Sequence, residues 1–116
     1  VNAPDASACL AYLEAAGQST NLEEVTAALA TEVANQARRC QVPQVYDVDG
    51  VTLVDDYPPD LIEAAYRRVA HNIALRGLPL GVSPTITDGA VATSRVGGLD
   101  AEVGRLEAPY RRVVFG

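Results

Sequence analysis

Apolar residues recur at three-and-four spacing in three stretches of the chain, and each stretch is bounded by helix punctuation. Ala6, Cys9, Leu10, Leu13 and Ala16 predict a first helix from near Asp5 to Gly17, with Pro4 and Asp5 suited to its entry. Leu22, Val25, Leu29 and Val33 predict a second, with Ala30, Ala34 and Ala37 beside the stripe for close approach. Asn21 is placed to cap it, Glu24 falls three residues on as in a capping box, and Pro43 stops it by residue 42. Leu61, Ile62, Ala65, Tyr66, Val69, Ala70 and Ile73 make the wide apolar face of a third helix. Pro59 suits its first turn and Gly77 its exit, while Asp60, Glu63 and Arg76 match the helix dipole. Tyr66 and Val69 are expected in the core, and the intervening Arg67 and Arg68 in solvent.

Between the second and third helices the period changes. Val45 and Val48 precede Asp49-Gly50, and Val51, Leu53 and Val54 follow, which predicts a short β-hairpin over 44–56 with a two-residue turn. An irregular acidic loop is the other reading. From Ser83 to Gly98 the chain is rich in Ser, Thr, Gly and Ala with no large apolar stripe, as expected of a long extended arm. A short fourth helix is predicted near 99–107, capped by Asp100, weakened by Gly104 and ended by Pro109. The final "YRRVVFG" reads as a C-terminal strand that starts at Tyr110, with Val113, Val114 and Phe115 as its β-branched and aromatic members. The fold class is thus mainly α. A small antiparallel bundle of three main helices occupies 1–82, and 83–116 forms an arm and a docking segment.

Composition sharpens this picture. The 116 residues are 48% apolar, yet contain no Met, no Trp and one Phe, so any core is small and gains from oligomerisation. The net charge of −6 is unevenly spread: residues 1–63 hold eleven acids and two arginines, and residues 64–116 four acids and seven arginines. Such polarity permits head-to-tail association into rings or filaments. No apolar run approaches the ~18 residues of a membrane span, and no basic-then-apolar leader opens the chain, so synthesis in the cytoplasm is expected.

No stretch carries recognisable enzyme chemistry, and no catalytic, metal or cofactor residues are assigned. Cys9 and Cys40 fall roughly 16 Å apart if the first two helices are antiparallel, against the ~7 Å limit for a disulfide, so both read as small buried thiols. The one histidine, His71, has no nucleophile or carboxylate at a useful spacing and reads as a boundary residue. The acids of "DVDG" and "VDDY" lack the ligand spacing of an EF-hand, and "GAVATSRVGG" lacks the Gly-Lys-Ser/Thr of a phosphate loop. A helix-turn-helix reader would need a basic recognition helix, whereas the second helix carries Glu23, Glu24 and Glu32. The terminal segment has two readings. It folds back on its own helices, or it adds to another subunit or protein.

The stretch "YPPDLIEAAYRRVAHNIALRGLPLGV", together with "EVGRLEAPYRRVVFG" at the end, resembles the head-to-tail adaptors of long-tailed phages, in particular those of actinobacteria. The resemblance covers a third to a half of the chain by motif, the first two helices matching in pattern only. It implies a structural virion protein of the phage neck, a ring of twelve copies bound beneath the portal protein, with a head-closure or stopper component on the opposite face. It also implies docking of Tyr110, Arg111, Arg112, Val113, Val114 and Phe115 on the portal or a neighbouring subunit. Arg67, Arg68 and Arg76 become candidates for charge contacts between subunits. Asp47, Asp49, Asp55 and Asp56 become candidates for acids facing the channel, where they would repel passing genomic DNA. The hairpin segment is longer than such adaptors lead one to expect. The alternative is a small helical DNA-binding regulator.

Overall fold

Polar side chains at three helix starts and turns set the local structure of the first half. In the computed structural model, which describes residues 1–76 and 101–112, the elements are α1 (Ala6–Ala15), α2 (Leu22–Arg39), β1 (Gln44–Tyr46), β2 (Leu53–Asp55), α3 (Pro59–Arg76) and α4 (Ala101–Glu107). A 3-10 turn, Ala108–Tyr110, continues α4. The Asp5 carboxylate accepts from Ala8 N at 2.9 Å and so caps α1. Asn21 Oδ1 accepts from Glu24 N at 2.9 Å and caps α2. The Glu24 carboxylate completes a different box from the one expected, since its donor is the Thr20 hydroxyl at 3.0 Å. Gly17, at φ +87°, makes the left-handed turn between the two helices.

The core is assembled around α3. Cys9 and Leu13 of α1, Val25, Ala28 and Leu29 of α2, and Tyr66, Val69 and Ile73 of α3 form the main cluster. The Tyr12 and Tyr66 rings pack tilted at 53°, centroids 5.6 Å apart. A second cluster joins Cys40, Val42, Tyr57 and Leu61, and a third seats Val103 and Leu106 of α4 on Ala64. Residues 101–112 therefore pack on the bundle.

Several expectations need correction. The buried stripe of α2 runs Val25, Ala28, Leu29, Glu32, Gln36, whereas Leu22, Ala30, Ala34 and Ala37 are exposed. The helix is rotated because α3 offers partners to the two polar members: Asn72 Nδ2 donates to Glu32 at 2.9 Å, and Gln36 Nε2 donates to Leu61 O at 3.1 Å. Arg68 is not in solvent; it is 3% exposed and ion-paired inside. The C-terminal strand does not start at Tyr110, which lies in the 3-10 turn set by Pro109. The arm over 83–98, the cap by Asp100 and residues Val113–Phe115 lie outside the described residues.

The hairpin is present and antiparallel, with Gln44 facing Asp55, Val45 facing Val54 and Tyr46 facing Leu53. Its connection is wider than the two-residue turn expected. Asp47 N donates to Thr52 O at 2.8 Å, which encloses four residues, and Gly50 N donates to Asp47 O at 2.9 Å with Gly50 at φ +72°. A four-residue loop with a left-handed glycine replaces the tight turn because the Asp49 carboxylate accepts from both Val51 N and Thr52 N.

Candidate functional site: an arginine-rich end beside an acidic hairpin

The end of α2 and the end of the described chain meet backbone to backbone. Gln41 N donates to Tyr110 O at 2.7 Å and Arg112 N to Arg39 O at 2.8 Å, around a single antiparallel bridge between Cys40 and Arg111. The Arg39 carbonyl, left open at the C-terminus of α2, is thus satisfied by the segment after α4. Arg112 adds side-chain bonds, from Nη1 to Gln41 Oε1 at 2.9 Å and from Nε to Ala37 O at 3.3 Å. The negative pole of α2 stabilises the cation there.

This docking gathers Arg38, Arg39, Arg111 and Arg112, all exposed, at one end of the molecule. None of the four makes an ion pair among the described residues. Beside them, Arg38 and Arg39 line a surface hollow of about 360 Å³ with Glu32, Asn35 and Arg68.

Beneath the patch lies a buried polar cluster. Arg68 Nε and Nη2 meet the two oxygens of Glu107 at 2.6 Å each, and Glu107 also accepts from Gln36 Nε2 at 3.0 Å. Glu32 stands 3.8 Å from Arg68 Nη1. Burial pushes the Glu107 carboxyl up, but the hydrogen bonds from Arg68 and Gln36 and the guanidinium charge outweigh it, holding the group below its ordinary range. Its hydrogen bond to Glu107 likewise raises Arg68. Burial, then the Glu107 charge, pushes the Cys40 thiol up. Gln36 Oε1 is buried with no hydrogen-bond partner among the described residues.

The hairpin is rooted at the same end. Asp56 N donates to Pro43 O, and Asn2 pins the base by donating to Asp56 Oδ1 and accepting from Tyr57 N, each at 2.8 Å. Each candidate channel acid has a local task. Asp47 accepts from Val48 N, Asp55 from Gln44 Nε2, and the loop hydrogen bonds of Asp49 hold its carboxyl below the usual range. The apolar side chains of this element are outward: Tyr46 is 66% exposed, Leu53 51%, Val51 79% and Val48 fully.

The other expected site residues separate. Tyr110 packs against the Cys40 cluster, and Arg111 and Arg112 bind the chain's own α2. Arg67 Nε lies 3.5 Å from Glu63 on the surface, and Arg76 borders a hollow with Asn21, Glu23, Glu24 and Ala27. Cys9 and Cys40 are buried free thiols, as expected. Sequence reading missed the Arg68–Glu107 pair and the Arg38–Arg39 surface. A signal for the first existed, since Leu61, Ala64, Ala65 and Arg68 continue one helical stripe.

Among the described residues no group of three or more His, Cys, Asp or Glu is placed to hold a metal ion, and no helix is long and apolar enough to cross a membrane. No known protein family matches the chain, and no curated protein or solved structure is similar to it.

Proposed function

We propose that the chain is a structural assembly subunit, the head-to-tail adaptor of a phage neck. In this reading, twelve copies form a ring beneath the portal protein, connect the capsid to the head-closure or stopper component, and surround the channel for genomic DNA. The observation that carries the reading is the hairpin. It holds five large apolar side chains, Val45 among them, in solvent on a two-stranded sheet, an element that is marginal by itself and whose apolar surface is expected to be covered by a partner. The arginine-rich end supplies a second, polar contact surface.

In the same reading Val113, Val114 and Phe115 dock on the portal or a neighbouring subunit. Arg111 and Arg112 hold the start of that segment on α2. Burial of such side chains contributes about 1.5–3 kcal/mol each before ordering costs, and repetition around a closed ring multiplies the effect. The test is electron microscopy of the purified protein mixed with its cognate portal. A ring stacked on one face of the portal is expected, and unmodified portal particles at saturating protein would overturn the reading.

The four exposed arginines favour a second reading, a small helical DNA-binding regulator. Titration of duplex DNA over a salt series separates the two. Tight binding to one sequence with a steep salt slope would select the regulator, whereas the adaptor passes DNA without such binding.

A further inference from the structure

The hairpin and the arginine patch carry opposite and equal charge. Residues 44–56 contain Asp47, Asp49, Asp55 and Asp56 and no cation, a formal −4, while Arg38, Arg39, Arg111 and Arg112 sum to +4. The two surfaces rise from the same end of the molecule. Even so, none of these eight side chains makes an ion pair within the chain among the described residues. The Arg111 charge also acts on Glu107, and the attraction that the other seven leave unused inside one subunit is available to a second.

Shape and apolar content select the same partner. The hairpin register puts Tyr46 and Leu53 on one face, with Val48 and Val51 at the tip, all exposed and rimmed by the acids. The patch is paired with a hollow of about 360 Å³ lined by Arg38, Arg39, Arg68, Asn35 and Glu32. A protruding turn on one copy and the recess on another suit contact between copies. Arginine planes also stack on aromatic faces, which gives Tyr46 a partner there.

We infer that the acidic hairpin of one copy docks on the Arg38–Arg39–Arg111–Arg112 patch of the next, its 47–52 loop seated in the adjoining hollow. This inference rests on the assembly reading and names the surfaces through which copies join. A nucleic acid would satisfy the four arginines alone. It would leave the Tyr46–Leu53 face uncovered and bring phosphates beside Asp47 and Asp55. A second copy covers both surfaces.

The test uses two full-length variants. Arg38→Asp with Arg39→Asp cancels the net charge of the patch, and Val51→Arg with Asp55→Arg cuts that of the hairpin to −1. These positions are exposed and outside the buried clusters, and circular dichroism checks that each variant is folded. Sedimentation velocity at low salt is expected to show association of the unaltered chain and its loss in each variant alone. Mixing the two variants restores it, because the unaltered hairpin of the patch variant meets the unaltered patch of the hairpin variant. Folded variants that associate as the unaltered chain does, or a mixture that stays dissociated, overturn the inference. So does an unaltered chain that is monomeric and assembles only on DNA. A monomeric chain that still forms a ring on the portal overturns it and leaves the adaptor reading standing. Rescue by mixing without portal binding does the reverse.

Discussion

The Arg68 guanidinium and the Glu107 carboxylate, thirty-nine residues apart in the chain, form a two-pronged ion pair inside the protein, with both contacts at 2.6 Å. The side chains are 3% and 1% exposed. This pair, with Gln36, joins α2, α3 and α4 and holds the segment that carries Arg111 and Arg112.

Removing one partner is expected to cost more than removing both. Arg68→Met or Glu107→Leu alone strands a buried charge and should lose about 3–5 kcal/mol. The double variant replaces the pair by apolar volume and should lose clearly less. Urea unfolding of the four proteins in a double-mutant cycle measures the difference. Additive losses would show that the two groups do not act as a pair.

The same carboxylate gives a dependence on acid. The folded pKa of Glu107 lies below its ordinary value of 4.5. The stability it contributes is therefore complete above that value and is lost as pH falls through the lower folded one. The stability gap between the unaltered chain and Glu107→Gln should be constant from neutral pH down to the ordinary carboxylate range, and narrow below it. Chemical unfolding at a series of pH values reads the gap. A gap that widens in acid would contradict the sign.

The thiols report on the docked segment. Burial pushes Cys9 up to about 11, and Cys40 is raised by burial and by Glu107. Neither should react with a disulfide reagent at neutral pH in the folded chain, and both should react in denaturant. Cys9 sits in the α1–α2–α3 cluster, but Cys40 is covered in part by Tyr110 and bridged to Arg111. Deleting residues 110–116 should release Cys40 alone. Equal release of both thiols would mean that the truncation loosens the whole bundle.

Where local chemistry decides, the sequence was readable. Asp5 and Asn21 cap the helices they were expected to cap, Pro59 opens α3, and the residues around Asp49-Gly50 form a hairpin. The larger failures are non-local. Arg68 and Gln36 occupy apolar-stripe positions but are polar, and Glu107, far along the chain, is the partner they share. The patch depends on Arg111 pairing with Cys40, a contact with no periodic signature. The loop width was misjudged because Asp49 organises it through its side chain, a choice that the Asp-Gly pair alone does not reveal.

The docked position of Arg111 and Arg112 changes what a truncation of the tail should do. Were the whole segment from Tyr110 onward free, cutting before Tyr110 would leave stability untouched. Tyr110 instead packs on the Cys40 cluster, and the backbones of Tyr110 and Arg112 bond Gln41 and Arg39. A cut before Tyr110 should therefore lower stability as well as portal joining. A cut after Arg112 keeps those bonds and should abolish joining with a smaller loss of stability than the longer cut. Phe115→Asp should behave like the shorter cut, whereas His71→Ala, a half-buried change on α3, should leave joining intact. Thermal unfolding and co-sedimentation with portal rings, run on all four proteins, separate the two effects. Full-strength joining by the chain cut after Arg112 would remove Val113, Val114 and Phe115 from the docking surface.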